Sequence, residues 1–429
     1  MFKPGLNSQP ELQPVRFWTF PVIHIKRKKE IPMITNGFTY IAVLMFIAGG
    51  LLFLEKNLKW KIFNIVPPLV FIYVINMILC TAGVFNSDGC SAAYSALKNN
   101  LLYAMIFVML LRCDFRKLAK LGGRMIAIFL GGSATLALGT IVGYPIFMNL
   151  IGGGEKTWAA TAALYASWVG GSANMAAMQD ALPVDAGAYA CCLALDTVCY
   201  SVWIALLLFM VKYADKWDNA TKADTSKLQA VADAANAEIE KEKNVKAGAA
   251  DWIFMIGLSL LVSAIGQWAG ASINTFLKGV GLGMFDKGSC TTLFVTILGL
   301  VCALTPLGKL PAVNELSSVY LYAVVSLLAS VASVTDLLTA PMWVVYGMFI
   351  LVIHVIGMFL LAKMFHWDLC MCSTASVANI GGAASAPIIA VAYNQSYAGI
   401  GVLMGVLGAA IGNFAGLGMG AVLKMIAGC

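Results

Sequence analysis

Val169-Gly170-Gly171-Ser172-Ala173 and Ile380-Gly381-Gly382-Ala383-Ala384 are the two stretches on which the fold turns. Each interrupts an apolar run, the first from Ala166 to Met175 and the second from Ser373 to Pro387. Glycine costs roughly 1 kcal/mol in a helix interior and proline about 3 kcal/mol, so both runs are weak as continuous helices. In a bilayer an unwound turn exposes N–H and C=O groups, which is tolerated only beside a cavity or inside protein. Weak points at matching positions predict two broken helices meeting near the midplane, where free backbone groups and helix-end dipoles bind an ion or a small polar solute. The competing reading is tight helix packing, because Gly, Ala and Ser also line close helix contacts.

The match extends beyond the glycine pairs. Leu102-Tyr103-Ala104 recurs as Leu321-Tyr322-Ala323, followed by Asp114 in one copy and Asp336 in the other, in the same order and at nearly constant offset. The chain therefore divides into an N-terminal extension (1–36), a first repeat (37–212), a polar connector (213–250) and a second repeat (251–429). The extension is polar and ends its basic run at Lys29, without the order of a cleavable signal peptide. Acids and bases nearly cancel in the connector, the pattern of a solvated helix or a flexible linker.

Hydrophobic residues make up 60% of the 429 and charged ones 11%, against about 25% charged in a soluble domain. Lipid must cover much of that apolar surface. Apolar stretches of crossing length lie near 37–54, 62–85, 96–112, 125–149, 158–180 and 185–212, and then near 252–270, 289–306, 315–336, 341–365, 371–393 and 397–426. The expectation is an all-α polytopic protein of about 12 transmembrane helices, multi-pass in a bacterial inner membrane.

Net charge is +7, but the bases cluster in short loops, as at Lys56, Lys59 and Lys61 and again at Arg112, Arg116, Lys117, Lys120 and Arg124. That is the positive-inside pattern rather than a nucleic-acid surface. The loop near Ser333–Pro341, counterpart of the second cluster, carries Asp336 and no base, so the halves are expected to be inverted. Six crossings per half would leave them parallel. Inversion requires one crossing more or fewer between Lys212 and Asn314, with Gly270–Phe285 the suspect segment.

Asp196 is the only carboxylate deep inside a predicted crossing. A charge there costs several kcal/mol, so it must face a cavity or a partner. Beside Thr197, it is placed to bind and release a proton or Na⁺; the alternative is a protonated acid bonded to a neighbouring helix. The expected binding site combines Ser167, Gly170, Gly171, Ser172, Asn174, Asp196 and Thr197 with Asn379, Gly381, Gly382, Ser385 and Asn413.

Other polar residues read more plainly. His354 fits a satisfied core residue, and Gln179, Asp180 and Asp185 a water-exposed turn. Asp114 and Asp336 read equally as gate residues or solvated helix ends. Glycines at 401, 405, 408, 412, 416 and 420 share one helix face and form a packing seam.

Eleven cysteines lie mostly in apolar segments, and Cys370-x-Cys372 lacks a second pair at zinc spacing. Three histidines form no cluster, and no phosphate-binding loop is present, so enzymatic and ATP-driven readings find no support. No cofactor is expected, and the only metal considered is a coupling Na⁺ near Asp196.

The runs Gly170–Ala177 and Ala378–Pro387, followed by Gly401–Gly408, resemble the YjcL-like family of bacterial membrane proteins, a domain of unknown function. Gly37–Val43 and Pro67-Pro68 are similar as well, so the resemblance extends from Met33 onward. That family is in turn similar to the cation:proton antiporter and anion transporter superfamily. The resemblance implies inverted repeats, two crossing broken helices in a core (around 96–212 and 315–426), elevator movement against a scaffold, and a homodimer. Those antiporters often carry paired carboxylates after the first broken helix, whereas here Asp196 stands alone. The expected function is an ion-coupled (Na⁺ or H⁺) secondary transporter of a small polar organic solute such as an amino acid or a carboxylate. The alternatives are a cation/proton antiporter without an organic substrate, and a membrane scaffold or receptor that moves nothing.

Overall fold

The computed structural model describes residues 34–58, 61–64, 68–85, 87–152, 157–226, 228–240, 247–280, 287–334 and 340–429. Asp336 and nearly all of the N-terminal extension lie outside them. Regular structure among the described residues is helical. The first half contains α1 (Gly37–Leu58), α2 (Pro68–Thr81), α3 (Asp88–Leu110), the short α4 (Phe115–Leu118), α5 (Gly122–Phe147), α6 (Thr157–Gly170), α7 (Ser172–Ala181) and α8 (Ala186–Met210). The connector forms α9 (Ala214–Thr221) and α10 (Leu228–Glu240). The second half contains α11 (Ala249–Gly279), α12 (Lys287–Ala303), α13 (Val313–Ala329), α14 (Ala340–Phe365), α15 (Leu369–Ile380), α16 (Gly382–Tyr393) and α17 (Ala398–Ala427).

Seven helical stretches among the described residues are long and apolar enough to cross a membrane, with mean hydropathy from 1.2 to 2.5. Large apolar side chains point outward on several of them: Phe38, Phe46 and Phe53 on α1, Trp268 and Phe276 on α11, Ile356 and Leu360 on α14. Water would make that surface costly, and hydrocarbon removes the cost. The chain is a multi-pass membrane protein.

The glycine pairs do more than weaken a crossing. Along α17, Gly408 faces Val169, Gly412 faces Gly170 and Asn174, Gly416 faces Ala166 and Met178, and Gly420 faces Trp158 and Leu182. Thus α6 descends along α17 while α7 climbs back beside it. The second pair behaves alike: Ser373, near the start of α15, meets the Tyr393 hydroxyl at the end of α16 at 3.2 Å. Each pair is a hairpin that returns to the end it came from, which corrects the expectation of broken helices that continue across. The physical reason is the left-handed backbone of Gly171 (φ 103°) and Gly382 (φ 69°), which reverses the chain in one residue. Sequence cannot separate a break from a reversal, because both use the same glycines.

The suspected extra crossing at Gly270–Phe285 is absent among the described residues. Gly270 lies inside the continuous α11, and its bare Cα lets the Thr291 backbone of α12 come close. Residues 281–286 lie outside the described set.

Helices α1–α3 and α11–α13 pack as one group, and α5–α8 with α14–α17 as another. The expectation that α3 and α13 join the second group is corrected: α3 packs on α11, α12 and α13. The two run antiparallel. Ser87, at the start of α3, donates to Ile34 O beside the start of α1 (2.8 Å), while Ser330, at the end of α13, bonds Tyr40 of α1.

The connector is docked rather than free. Leu228, Ala232 and Ala235 recur on one face of α10 and are buried, and Asn236 donates to Ser396 O (2.7 Å) and accepts from Gly399 N (3.1 Å). In α9, Asp218 accepts from Leu369 N at 2.8 Å. The connector therefore clasps both feet of the second hairpin.

The hairpins can be tested by single cysteines in a cysteine-free background. Leu150→Cys and Pro183→Cys are expected to react with an impermeant maleimide from the same side of the membrane. Lys363→Cys and Gln395→Cys are expected to react together from the opposite side. Labelling of 150 and 183 from different sides would restore a crossing helix.

Candidate functional site at the hairpin tips

The two tips meet. A Cβ placed on Gly382 would stand 3.9 Å from Gly171 Cα. Residues 157–169 of α6 and 369–380 of α15 are all buried, yet Gly170, Gly171, Ser172, Ala173 and Gly381 are only half-buried. The legs α6 and α15 are sealed, while these tip residues are partly exposed. Both α7 (10 residues) and α16 (12 residues) start here, so the N–H groups of two first turns and two positive helix ends converge.

Asp196 reaches the first hairpin. Its Oδ2 accepts from the Ser167 hydroxyl (3.0 Å) and its Oδ1 from Trp168 Nε1–H (2.7 Å). One turn on, the Tyr200 hydroxyl donates to Ser385 (2.8 Å), which donates to Gly381 O (3.1 Å). Residues four apart share a helix face, so α8 presents Asp196 to one tip and Tyr200 to the other. Asn174 is fully buried and donates through Nδ2 to Asn413 Oδ1 (2.9 Å), while Asn413 donates to Thr296 of α12 (2.9 Å).

Two expected residues stand apart from the partly exposed tip residues. Asn379 accepts from Ser133 (2.6 Å) and donates to Phe129 O and Ala375 O, which ties α15 to α5 and leaves it structural. The Thr197 hydroxyl turns back to Leu193 O (2.9 Å) of its own helix. His354 is buried and bonded to Thr135 (2.7 Å) and Ser376 (2.8 Å), the satisfied core residue expected.

Asp185 is exposed, as expected of that turn, whereas Asp180 is drawn away from water. Asp180 pairs with Lys98 at 2.8 Å and accepts from the Tyr103 hydroxyl, so it pins the end of α7 to α3 beside a cavity of 180 Å³. Asp114 caps α4 and pairs with Arg116 at 2.8 Å; that hydrogen bond holds its carboxyl below the usual carboxylate range. At the foot of the second hairpin, Asp368 caps α15, and burial pushes its carboxyl up to about 6.

Sequence reasoning missed Trp168 and Tyr200. Aromatics in apolar helices look like core, and only their spacing from Gly170 and Asp196 set them apart. Among the described residues no three His, Cys, Asp or Glu side chains converge as for a metal.

One family profile matches residues 42–426, from within α1 to the last turn of α17. The chain belongs to the DUF819 family. Its description is a protein of unknown function, and the match spans both hairpins and the connector between the halves. No curated protein matches the chain.

The seam that holds the first tip is directly testable. A methyl at Gly412 would lie 2.7 Å from the Asn174 side chain and 3.0 Å from Gly170 Cα, whereas Gly418 faces open space. Gly412→Ala is expected to cost about 1–3 kcal/mol through overpacking, seen as a lower Tm in detergent. Gly418→Ala is expected to be neutral or to gain up to about 1 kcal/mol from helix propensity.

Proposed function

We propose that this chain is an ion-coupled secondary transporter of a small polar organic solute, an amino acid or a carboxylate, in a bacterial inner membrane. The observation that carries the reading is the meeting of two hairpin tips beside Asp196, with α6 and α15 buried and the tip residues partly exposed. Main-chain groups at membrane depth survive only where protein or a cavity receives them.

The chain path supports an inverted repeat. Counting each hairpin as no crossing leaves α1, α2, α3, α5 and α8 in one half and α11, α12, α13, α14 and α17 in the other. An odd number per half inverts the second copy, as the charge asymmetry of the loops requires. In this reading α5–α8 and α14–α17 form a core that moves as an elevator against a scaffold of α1–α3 and α11–α13. Polar ties across that boundary include Lys98–Asp180, Asn413–Thr296 and Ser289–Ala181 O. A homodimer through the scaffold follows from the resemblance alone.

Two helix N-termini at the tips favour an anionic group on the solute, and Asp196 favours a positive one. A zwitterion satisfies both, as does a carboxylate accompanied by Na⁺ or H⁺. No covalent chemistry is assigned to the site.

Uptake by proteoliposomes tests the proposal. With a panel of labelled amino acids and carboxylates and an imposed Na⁺ or pH gradient, one solute class is expected to accumulate. Asp196→Asn is expected to lower the initial rate at least tenfold. Ion exchange without any organic solute would identify an antiporter. An absence of flux under every gradient would leave a scaffold or receptor.

A further inference from the structure

A polar cavity lies at the foot of the first hairpin, at the far end from its tip. Asn99 and Tyr103 of α3, Asp180 of α7, Gln267 of α11, and Lys287 and Gly288 of α12 line a single space of 180 Å³. One water needs only about 10–15 Å³, so there is room for a solute of several heavy atoms. The walls come from both helix groups, α7 from the hairpin and α3, α11 and α12 from the group beside it. Gly288 lets the two approach: a Cβ there would stand 2.2 Å from Asp180 O, and the next residue, Ser289, donates to Ala181 O at 2.6 Å.

The lining has one positive charge left over. Asp180 is fully engaged, since Lys98 pairs with one of its oxygens at 2.8 Å and the Tyr103 hydroxyl donates to the other. Lys287 is exposed and has no ion pair among the described residues, so its charge is the surplus. Asn99 makes no side-chain hydrogen bond among the described residues; its Oδ1 is buried, which leaves its nitrogen to the cavity. Gln267 donates through Nε2 to Asn100 Oδ1 (2.7 Å) and Ser263 (3.3 Å), and its Oε1 receives no hydrogen bond. Asn100 uses its own nitrogen on Ala96 O (2.7 Å), which fixes the direction of both amides. One cation, one amide donor and one open acceptor therefore border a shared space.

We propose that this cavity binds a small hydroxylated carboxylate, with the Lys287 ammonium and the Asn99 amide donating to the carboxylate and Gln267 Oε1 accepting from the hydroxyl. Surplus positive charge with donors selects an anion, because charge-assisted hydrogen bonds are the strong ones. An ammonium in place of the hydroxyl would add positive charge where it is already in excess. A carboxylate with no hydroxyl would leave the Gln267 oxygen unmatched. Bound there, the anion bridges α3, α11 and α12 beside the end of α7 and steadies the foot of the hairpin. The site is separate from the tips and from Asp196, so the inference goes beyond the transporter reading and holds whether or not a solute is moved.

The test uses purified full-length protein in detergent, with propionate, L-lactate or L-alanine added at constant ionic strength. The three probes share a carbon skeleton and differ in one substituent. The Tm of the wild type is expected to rise with the logarithm of lactate concentration. Equilibrium binding is expected to be several-fold tighter for lactate than for propionate, and weakest for alanine. Lys287→Gln is expected to weaken lactate binding at least tenfold and Lys287→Arg to retain it; Lys287 is exposed, so neither variant disturbs packing. Gln267→Leu is expected to bring lactate down to the level of propionate and leave propionate unchanged. Lys278→Gln, an exposed base on α11 outside the cavity, and Asp196→Asn, at the tip, are both expected to bind lactate as the wild type does. A wild type indifferent to all three probes would overturn the proposal. So would lactate binding that survives intact in Lys287→Gln, a lactate preference that survives in Gln267→Leu, or alanine binding tighter than lactate.

Discussion

Four helix ends meet in the middle of an apolar bundle, and every backbone group they expose must find a partner away from water. That constraint organises the rest of the molecule. A helix end at the surface is hydrated without special provision. Here α6 and α15 end, and α7 and α16 begin, inside the bundle, with Gly170, Gly171, Ser172 and Gly381 only half-buried.

The long helix α17 meets much of this demand by having almost no side chain on one face. Gly408, Gly412, Gly416 and Gly420 let α6 and α7 lie against its backbone, close enough for Asn174 to reach Ala409 O. Small residues at a helix interface gain van der Waals contact that lipid cannot supply. The seam and the site are one structure, since Gly408 and Gly412 both separate and position the groups of the first tip.

The two hairpins are alike in path and different in attachment. The first is held by Asp196 of α8, by Asn413 of α17 and by the Lys98–Asp180 pair on α3. The second is held by Ser133 of α5, by Trp203 of α8 through Ser376, and by the docked connector at its feet. Among the described residues, a carboxylate is hydrogen-bonded near the tip of the first hairpin.

The sequence by itself determined that this chain is helical and multi-pass, and that the glycine pairs and Asp196 share a neighbourhood. Those features are local or additive: apolar length, loop charge, glycine weakness and repeat spacing depend on residues close together in the chain. Whether a weakened helix crosses or returns depends on a single backbone angle at Gly171 and Gly382, and that angle leaves no further mark in composition. Only the tertiary structure paired Trp168 with Asp196, Tyr200 with Ser385 and Lys98 with Asp180, and only it left the Asn174 oxygen open. Each of those contacts joins residues brought together by packing, where the partner is chosen by distance in space rather than by distance along the chain.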